Sequence, residues 1–152
     1  MGGNKGKVGG MTEEDDFIRM VSELQRKIEY DEEETYSRKV IDEFRNPTNF
    51  GFIKNPDVSG QIKGPCGDTM RIDLKIKDDV IIDARFWTDG CGASIACGNK
   101  LTKIIIGKTL PEAESITSDK LLESLDGLPV EHRHCSFLAV NTLNKSLSDY
   151  NK

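Results

Sequence analysis

The chain has 152 residues, of which 36% are hydrophobic and 31% charged, and a formal charge of −5. That length is one ordinary domain, able to bury a core without disulfides, and the acidic balance argues against nucleic-acid binding. No apolar run nears the roughly 20 residues of a membrane span and no apolar signal segment opens the chain, so we expect a cytoplasmic protein with no membrane partner, whose four cysteines stay reduced.

Residues 1–11 are glycine-rich and read as a flexible arm or a cloning remnant ahead of the fold. Thr12 is an N-cap candidate followed by acids at 13–16, and Phe17, Met20, Val21, Leu24 and Ile28 recur at helical spacing. This predicts an acidic N-terminal helical extension over 12–34, with a stripe whose ordinary use is packing on the body of the domain. Tyr36, Val40, Ile41 and Phe44 predict a second helix, which Asn46-Pro47 ends. Residues 51–67 are turn-rich, with room for a short strand near 60–63.

The clearest sheet signal follows. Ile72, Leu74 and Ile76 alternate with polar residues, as do Ile82, Ala84 and Phe86, with a turn at Asp78-Asp79. An antiparallel hairpin with these six residues on its core face is expected. After Gly90-Cys91-Gly92 the period changes to helical, with Ile95, Ala96, Leu101, Ile104 and Ile105 ending at Gly107. A helical turn over 111–116, a helix capped by Ser118 with Leu121, Leu122 and Leu125, and a last helix from about Cys135 complete the chain. The order predicts an α+β domain with its helices on one side of the sheet.

Cys66, Cys91, Cys97 and Cys135 form no CxxC pair, which excludes zinc-ribbon and thioredoxin spacings. Three of them sit at element ends: Cys66 in Gly-Pro-Cys-Gly-Asp with Asp68 two residues on, Cys91 at a strand-to-helix junction, and Cys135 after His134. Side chains from distant parts of a chain converge at such ends, so Cys66, Asp68, Cys91, His134 and Cys135 are the candidate metal ligands. Cys91 and Cys135 lie near predicted helix N-termini, where the macrodipole favours the thiolate. Cys97 falls inside a helix and is read as a buried small hydrophobe.

From about Tyr36 onward the chain resembles the U-type iron–sulfur cluster assembly scaffolds, the IscU/NifU N-terminal family. The matching stretches are YSRKVIDEFRNPTNFG (36–51), GPCGDTM (64–70), IIDARFWTDGCGASIACGNKLT (81–102), GKTLPEA (107–113) and HCSFLA (134–139). The resemblance implies a three-stranded antiparallel sheet with helices on one face (a SufE/NifU-like fold) over 35–152, with the N-terminal helix as an addition. It also implies a scaffold, not an enzyme, for a transient [2Fe–2S] cluster built from iron and from persulfide sulfur. The implied partners are a cysteine desulfurase, an iron donor and apo iron–sulfur proteins. The family's ligands carry over to Cys66, Asp68, Cys91, His134 and Cys135, with Cys135 also the persulfide acceptor.

If Asp68 is a ligand, its hard oxygen on a thiophilic site is more exchangeable than a fourth thiolate, which suits a cluster that is built and given away. Whether one chain holds the cluster or a homodimer shares it stays open here, as does the choice of Asp68 or His134 as fourth ligand. Family members that work with a dedicated Hsp70 carry Leu-Pro-Pro-Val-Lys before the last cysteine. Here the stretch is Leu128-Pro129-Val130-Glu131-His132, with His132 at the lysine position. The alternative is a zinc-bound sulfur acceptor resembling the SufU branch, which has an insertion before its third cysteine and lacks the adjacent histidine. His134 and the compact Cys91–Cys135 interval favour the scaffold. Zinc is expected to bind under either reading, as it would in a purely structural site.

Overall fold

The alternation at 72–87 folds as the expected hairpin in a computed structural model that describes residues 12–152; the glycine-rich arm lies outside the described residues. Strands β2 (Thr69–Lys77) and β3 (Val80–Thr88) pair antiparallel, and β1 (Val58–Lys63) adds to the far side of β2, giving the order β1-β2-β3. Asp78 and Asp79 both hold left-handed backbone, with φ of +53° and +63°, as a two-residue type I′ turn requires. The register steps from Ile76↔Ile81 to Lys75↔Asp83, which leaves Ile82 without a partner in the ladder. This bulge corrects the simple alternation: Ile81 is buried in the core, and Ile82 turns outward, 49% exposed.

One face of the sheet carries Met70, Ile72, Leu74, Ala84 and Phe86, all fully buried. It is covered by α3 (Gly92–Ile105) and α6 (His134–Tyr150), which pack chiefly on β3 and on β1 and β2 respectively. Both helices come unusually close. A Cβ on Gly60 would lie 2.6 Å from the Ser146 backbone nitrogen in α6, and one on Gly98 would lie 2.4 Å from the Phe86 ring. The Ser146 hydroxyl donates to the Ile72 carbonyl at 3.0 Å, so even the polar atom at this contact is satisfied.

The opposite face is spanned by residues 51–57. Asp73, pointing outward by alternation, is nevertheless only 1% exposed. Its carboxylate accepts from Arg71, from the Ser59 hydroxyl at 2.6 Å and from the Ile53 amide at 3.0 Å. The guanidinium of Arg71 also lies over the Phe52 ring, and Phe52 stacks near Trp87.

Helix α2 (Arg38–Arg45) is capped by Ser37, whose hydroxyl accepts from the Val40 amide and donates to the Leu125 carbonyl. Its Glu43 accepts from Asn99 at 2.7 Å and pairs with Lys103, while Asn99 also accepts from the Asn49 amide. This buried network fastens α2 and the chain after it to α3. Helix α4 (Leu110–Glu114) begins with a Thr109–Glu112 capping box, and α5 (Ser118–Ser124) is capped by Thr117, one residue before the predicted cap. Gly107 follows α3 with φ of +91°, but its amide donates to the Ile81 carbonyl and so ties the helix end to β3.

Residues 12–35 form a unit of their own. Its helix, α1 (Glu13–Thr35), starts at Thr12 in a reciprocal cap with Asp15 and runs on through the acidic residues 31–34. Its apolar stripe is Phe17, Met20, Val21, Leu24 and Ile28, as the spacing predicts. Among the described residues, no helix is long and apolar enough to cross a membrane.

The close approach at Gly60 meets backbone, which cannot step aside. Gly60→Ala should therefore cost about 2–3 kcal/mol and lower the calorimetric midpoint by about 5–10 °C. Ile82→Thr, on the bulge, should stay within about 0.5 kcal/mol. Equal effects of the two substitutions would contradict the packing described.

Candidate metal centre

Three chain segments meet at one end of the sheet. The turn at 64–68 joins β1 to β2, and the 89–92 segment joins β3 to α3. They are laced together by the Thr69 amide donating to the Asp89 carboxylate at 2.8 Å and the Thr88 hydroxyl donating to the Thr69 carbonyl at 2.7 Å. The third segment is a 3-10 turn (Val130–His132) that leads into α6. A Cβ on Gly64 would touch the Leu138 side chain at 3.4 Å, which sets the first turn beside the start of α6.

Cys91 is the N-cap of α3 and Cys135 is the second residue of α6. Because both helices press on the same face of the sheet, these two sulfurs face each other. His132 joins them, with its Nδ1 4.0 Å from the Cys91 sulfur, and the ligand atoms of Cys91, His132 and Cys135 all lie within 4.8 Å of one another. The His132 ring sits 5.7 Å from the Tyr36 ring, and Tyr36 meets Phe44 edge to face. Phe44 in turn packs where a side chain on Gly92 would be, so α2 buttresses the first turn of α3.

The two thiols share protons unequally. The Ser94 hydroxyl donates to the Cys135 sulfur at 3.3 Å, and the Cys135 thiol donates to Cys91. That second bond is the main cause that lowers Cys91 to about 4; partial burial opposes it, and the Ser94 and Ala93 amides at the start of α3 reinforce it. Cys135 moves the other way, raised by the same bond and by burial. The dipole argument made from sequence therefore holds for Cys91 alone, because a single proton between two close sulfurs leaves only one of them ionised.

His134 places Nε2 3.7 Å from the Cys135 sulfur. The Asp68 carboxylate reaches the Gly90–Ser94 corner, where a Cβ on Gly90 would lie 2.9 Å from its Oδ2. Cys66 is exposed on its turn, outside the close trio. Cys97 is buried within α3, its thiol pushed up to about 12 by that burial. His132 is not among the predicted ligands. Its signal is nonetheless present in the sequence: His132 and Cys135 stand at i and i+3, which one helical turn brings to the same side.

The sequence profile of the NifU-like N terminal domain matches residues 35–152. The chain belongs to this family. Among relatives of the NifU-like domain, a protein of Archaeoglobus fulgidus named iron-sulfur cluster assembly scaffold protein IscU 1 is 46% identical over 116 residues, which span 76% of each chain. The iron-sulfur cluster assembly scaffold protein IscU of Escherichia coli K12 is 42% identical over 120 residues, covering 76% of this chain and 93% of that one. A solved structure from Fervidobacterium islandicum AW-1, described as a candidate iron-sulfur cluster assembly scaffold for a SUF system, superposes with a TM-score of 0.62. It is 25% identical and covers 74% of this chain and 96% of its own. The three-stranded antiparallel sheet with helices on one face, and the family itself, are as the sequence implied.

Cys91 is exposed and its thiol is ionised above about pH 4. Iodoacetamide should label it in the metal-free protein at a rate nearly flat between pH 6 and 8, while Cys97 stays unlabelled. A rate at Cys91 rising about tenfold per pH unit over that range, as for an ordinary thiol, would mean that the Cys135 thiol does not stabilise it.

Proposed function

We propose that this protein is a scaffold on which an iron–sulfur cluster is assembled and from which it is passed to apo-proteins. The observation that carries this reading is the unequal thiol pair, Cys91 and Cys135, at the converging ends of α3 and α6, with the Asp68 carboxylate at the Gly90–Ser94 corner. Three thiolates with an oxygen donor at the rim of a fold give a set that binds iron firmly through sulfur and keeps one weak, exchangeable position. The names of the curated relatives point the same way.

In finer detail the cargo is a transient [2Fe–2S] cluster, held by Cys66, Cys91 and Cys135 with Asp68 or His134 completing the set. Iron comes from an iron donor and sulfur from a cysteine desulfurase, and Cys135 is the persulfide acceptor. For that step Cys135 loses its proton to solvent, and the resulting Cys135 thiolate attacks the terminal sulfur of the donor's persulfide. The new S–S bond forms on Cys135, the donor cysteine leaves as its thiolate, and no net electrons are exchanged. Because Cys135 is fully buried, the site has to open for the donor to reach it. On this reading the protein is a carrier of cargo and does its work in the cytoplasm, alone or as a homodimer. The zinc-bound sulfurtransferase is the alternative that the test must separate.

The test is anaerobic reconstitution with ferrous iron, a desulfurase and cysteine, followed by addition of an apo-ferredoxin. Appearance of the holo-ferredoxin spectrum supports the scaffold. Uptake of zinc and persulfide without cluster transfer would instead identify the sulfur acceptor. Cys135→Ser should abolish the persulfide adduct of about 32 Da, and an adduct that persists on Cys91 in that variant would reassign the acceptor. Asp68→Ala should hold its cluster several-fold longer than the unaltered protein, because the exchangeable donor is gone; faster loss would refute the role given to Asp68.

A further inference from the structure

Helices α3 and α6 bury the hydroxyl side chains Ser94, Thr102, Ser136, Thr142 and Ser146. Four of these donate to a carbonyl one turn earlier in their own helix: Thr102 to Gly98, Ser136 to Arg133, Thr142 to Leu138 and Ser146 to Thr142. That is the ordinary way for a helical hydroxyl to be satisfied. Ser94 instead donates across to the other helix, to the Cys135 sulfur at 3.3 Å. A thiol sulfur is a weak acceptor beside a carbonyl oxygen, so satisfying a buried hydroxyl does not by itself account for this bond.

We propose that Ser94 directs incoming sulfur to Cys135: its hydroxyl is the hydrogen-bond donor to the Cys135 sulfur as that sulfur attacks a sulfane donor. That Cys135 is the acceptor rests on the scaffold reading, and Ser94 explains how it is chosen.

Exposure alone favours the other sulfur. Cys91 is exposed and Cys135 is buried, so a sulfane donor arriving from solvent meets Cys91 first. A preference for Cys135 therefore needs an interaction aimed at it. Ser94 is fully buried in the first turn of α3, and the fold makes room for it. A Cβ on Gly90 would lie 2.6 Å from the Ser94 hydroxyl oxygen, so a side chain at position 90 would displace the donor.

The chemistry rewards a donor in this place. A hydrogen bond to an ionised acceptor is roughly twice as strong as one to a neutral group. The bond to the resting thiol is weak, and it strengthens as charge gathers on sulfur in the attack. Stabilisation that grows towards the transition state raises the rate, and a donor already held by packing needs no reorganisation. In the step, the Cys135 proton goes to solvent and the thiolate attacks the terminal sulfur of the persulfide. An S–S bond forms on Cys135 as the donor's S–S bond breaks, and the donor leaves as its thiolate with no net exchange of electrons. Ser94 keeps its own proton throughout.

The test uses the full chain, metal-free and anaerobic, with glutathione persulfide as the sulfane donor. Mass spectrometry of the digested protein follows the adduct on Cys135 and on Cys91. In the unaltered protein the adduct should form mainly on Cys135. Ser94→Ala should lower the ratio of Cys135 to Cys91 adduct by about tenfold, the scale of one hydrogen bond to a charged group. Thr142→Val removes a buried hydroxyl of the ordinary kind from α6 and should leave that ratio unchanged. The ratio compares two sulfurs of one molecule, so a general loss of stability does not mimic the effect.

An unchanged ratio in Ser94→Ala, or an equal fall in Thr142→Val, would overturn the role of Ser94 and leave the scaffold reading intact. An adduct mainly on Cys91 in the unaltered protein would refute both the acceptor and this inference. If Ser94→Ala fails to fold, proton NMR of the unaltered protein decides. A Ser94 hydroxyl resonance in slow exchange with water, with a cross-peak to the Cys135 β protons, supports the donor, and its absence refutes it. A protein that takes sulfur on Cys135 through Ser94 yet never transfers a cluster would refute the scaffold reading alone.

Discussion

Everything at the metal-binding end depends on two helices lying closer to a sheet than side chains ordinarily permit. Gly60 lets the backbone of α6 approach β1, and Gly98 lets α3 settle onto the Phe86 ring. With both helices seated on one face, their N-terminal turns meet, and with them come Cys91 and Cys135. A shift of one helix by the width of a methyl group is enough to separate sulfurs that now share a proton. The core residues on β2 and β3 supply the driving force for this packing, but it is the absence of two side chains that fixes its depth.

The thiol pair turns that packing into reactivity. A lone cysteine at a helix start gains a modest preference for its ionised form. Two cysteines in contact behave as a unit: the exposed one is charged and the buried one holds the proton. The pair thus presents a ready metal ligand in Cys91 and keeps the second sulfur protected until a metal, or a transfer of its proton, releases it. The Ser94 hydroxyl completes the chain of hydrogen bonds behind Cys135. On the scaffold reading this gives a site that is unsaturated and open on one side, as temporary cargo requires.

Most of the fold is legible in the sequence because its signals are local. Thr12 as a cap, the stop at Asn46-Pro47, the hairpin around Asp78-Asp79 and the apolar positions of α6 follow from short-range sterics and periodicity. The differences are non-local or lie where two local rules compete. Alternation sets Ile82 on the core face because it cannot announce a bulge. It sets Asp73 outward as an ordinary polar residue, whereas the burial of Asp73 comes from a distant segment, residues 51–57, crossing over it. Thr117 displaces Ser118 as a cap because both residues satisfy the same rule one position apart.

At the site, the residue types and their positions at element ends are enough to nominate Cys66, Asp68, Cys91, His134 and Cys135, and the family motifs give them roles. The sequence by itself also determined the α+β class and the burial of Cys97, since these rest on period and on position within a helix. Which ligand atoms lie together was decided only by the tertiary structure. The Cys91–Cys135 contact spans 44 residues of chain, and no periodicity reaches that far. His132, which the sequence marked at the family's lysine position but not as a ligand, is set beside Cys91 by the 3-10 turn before α6.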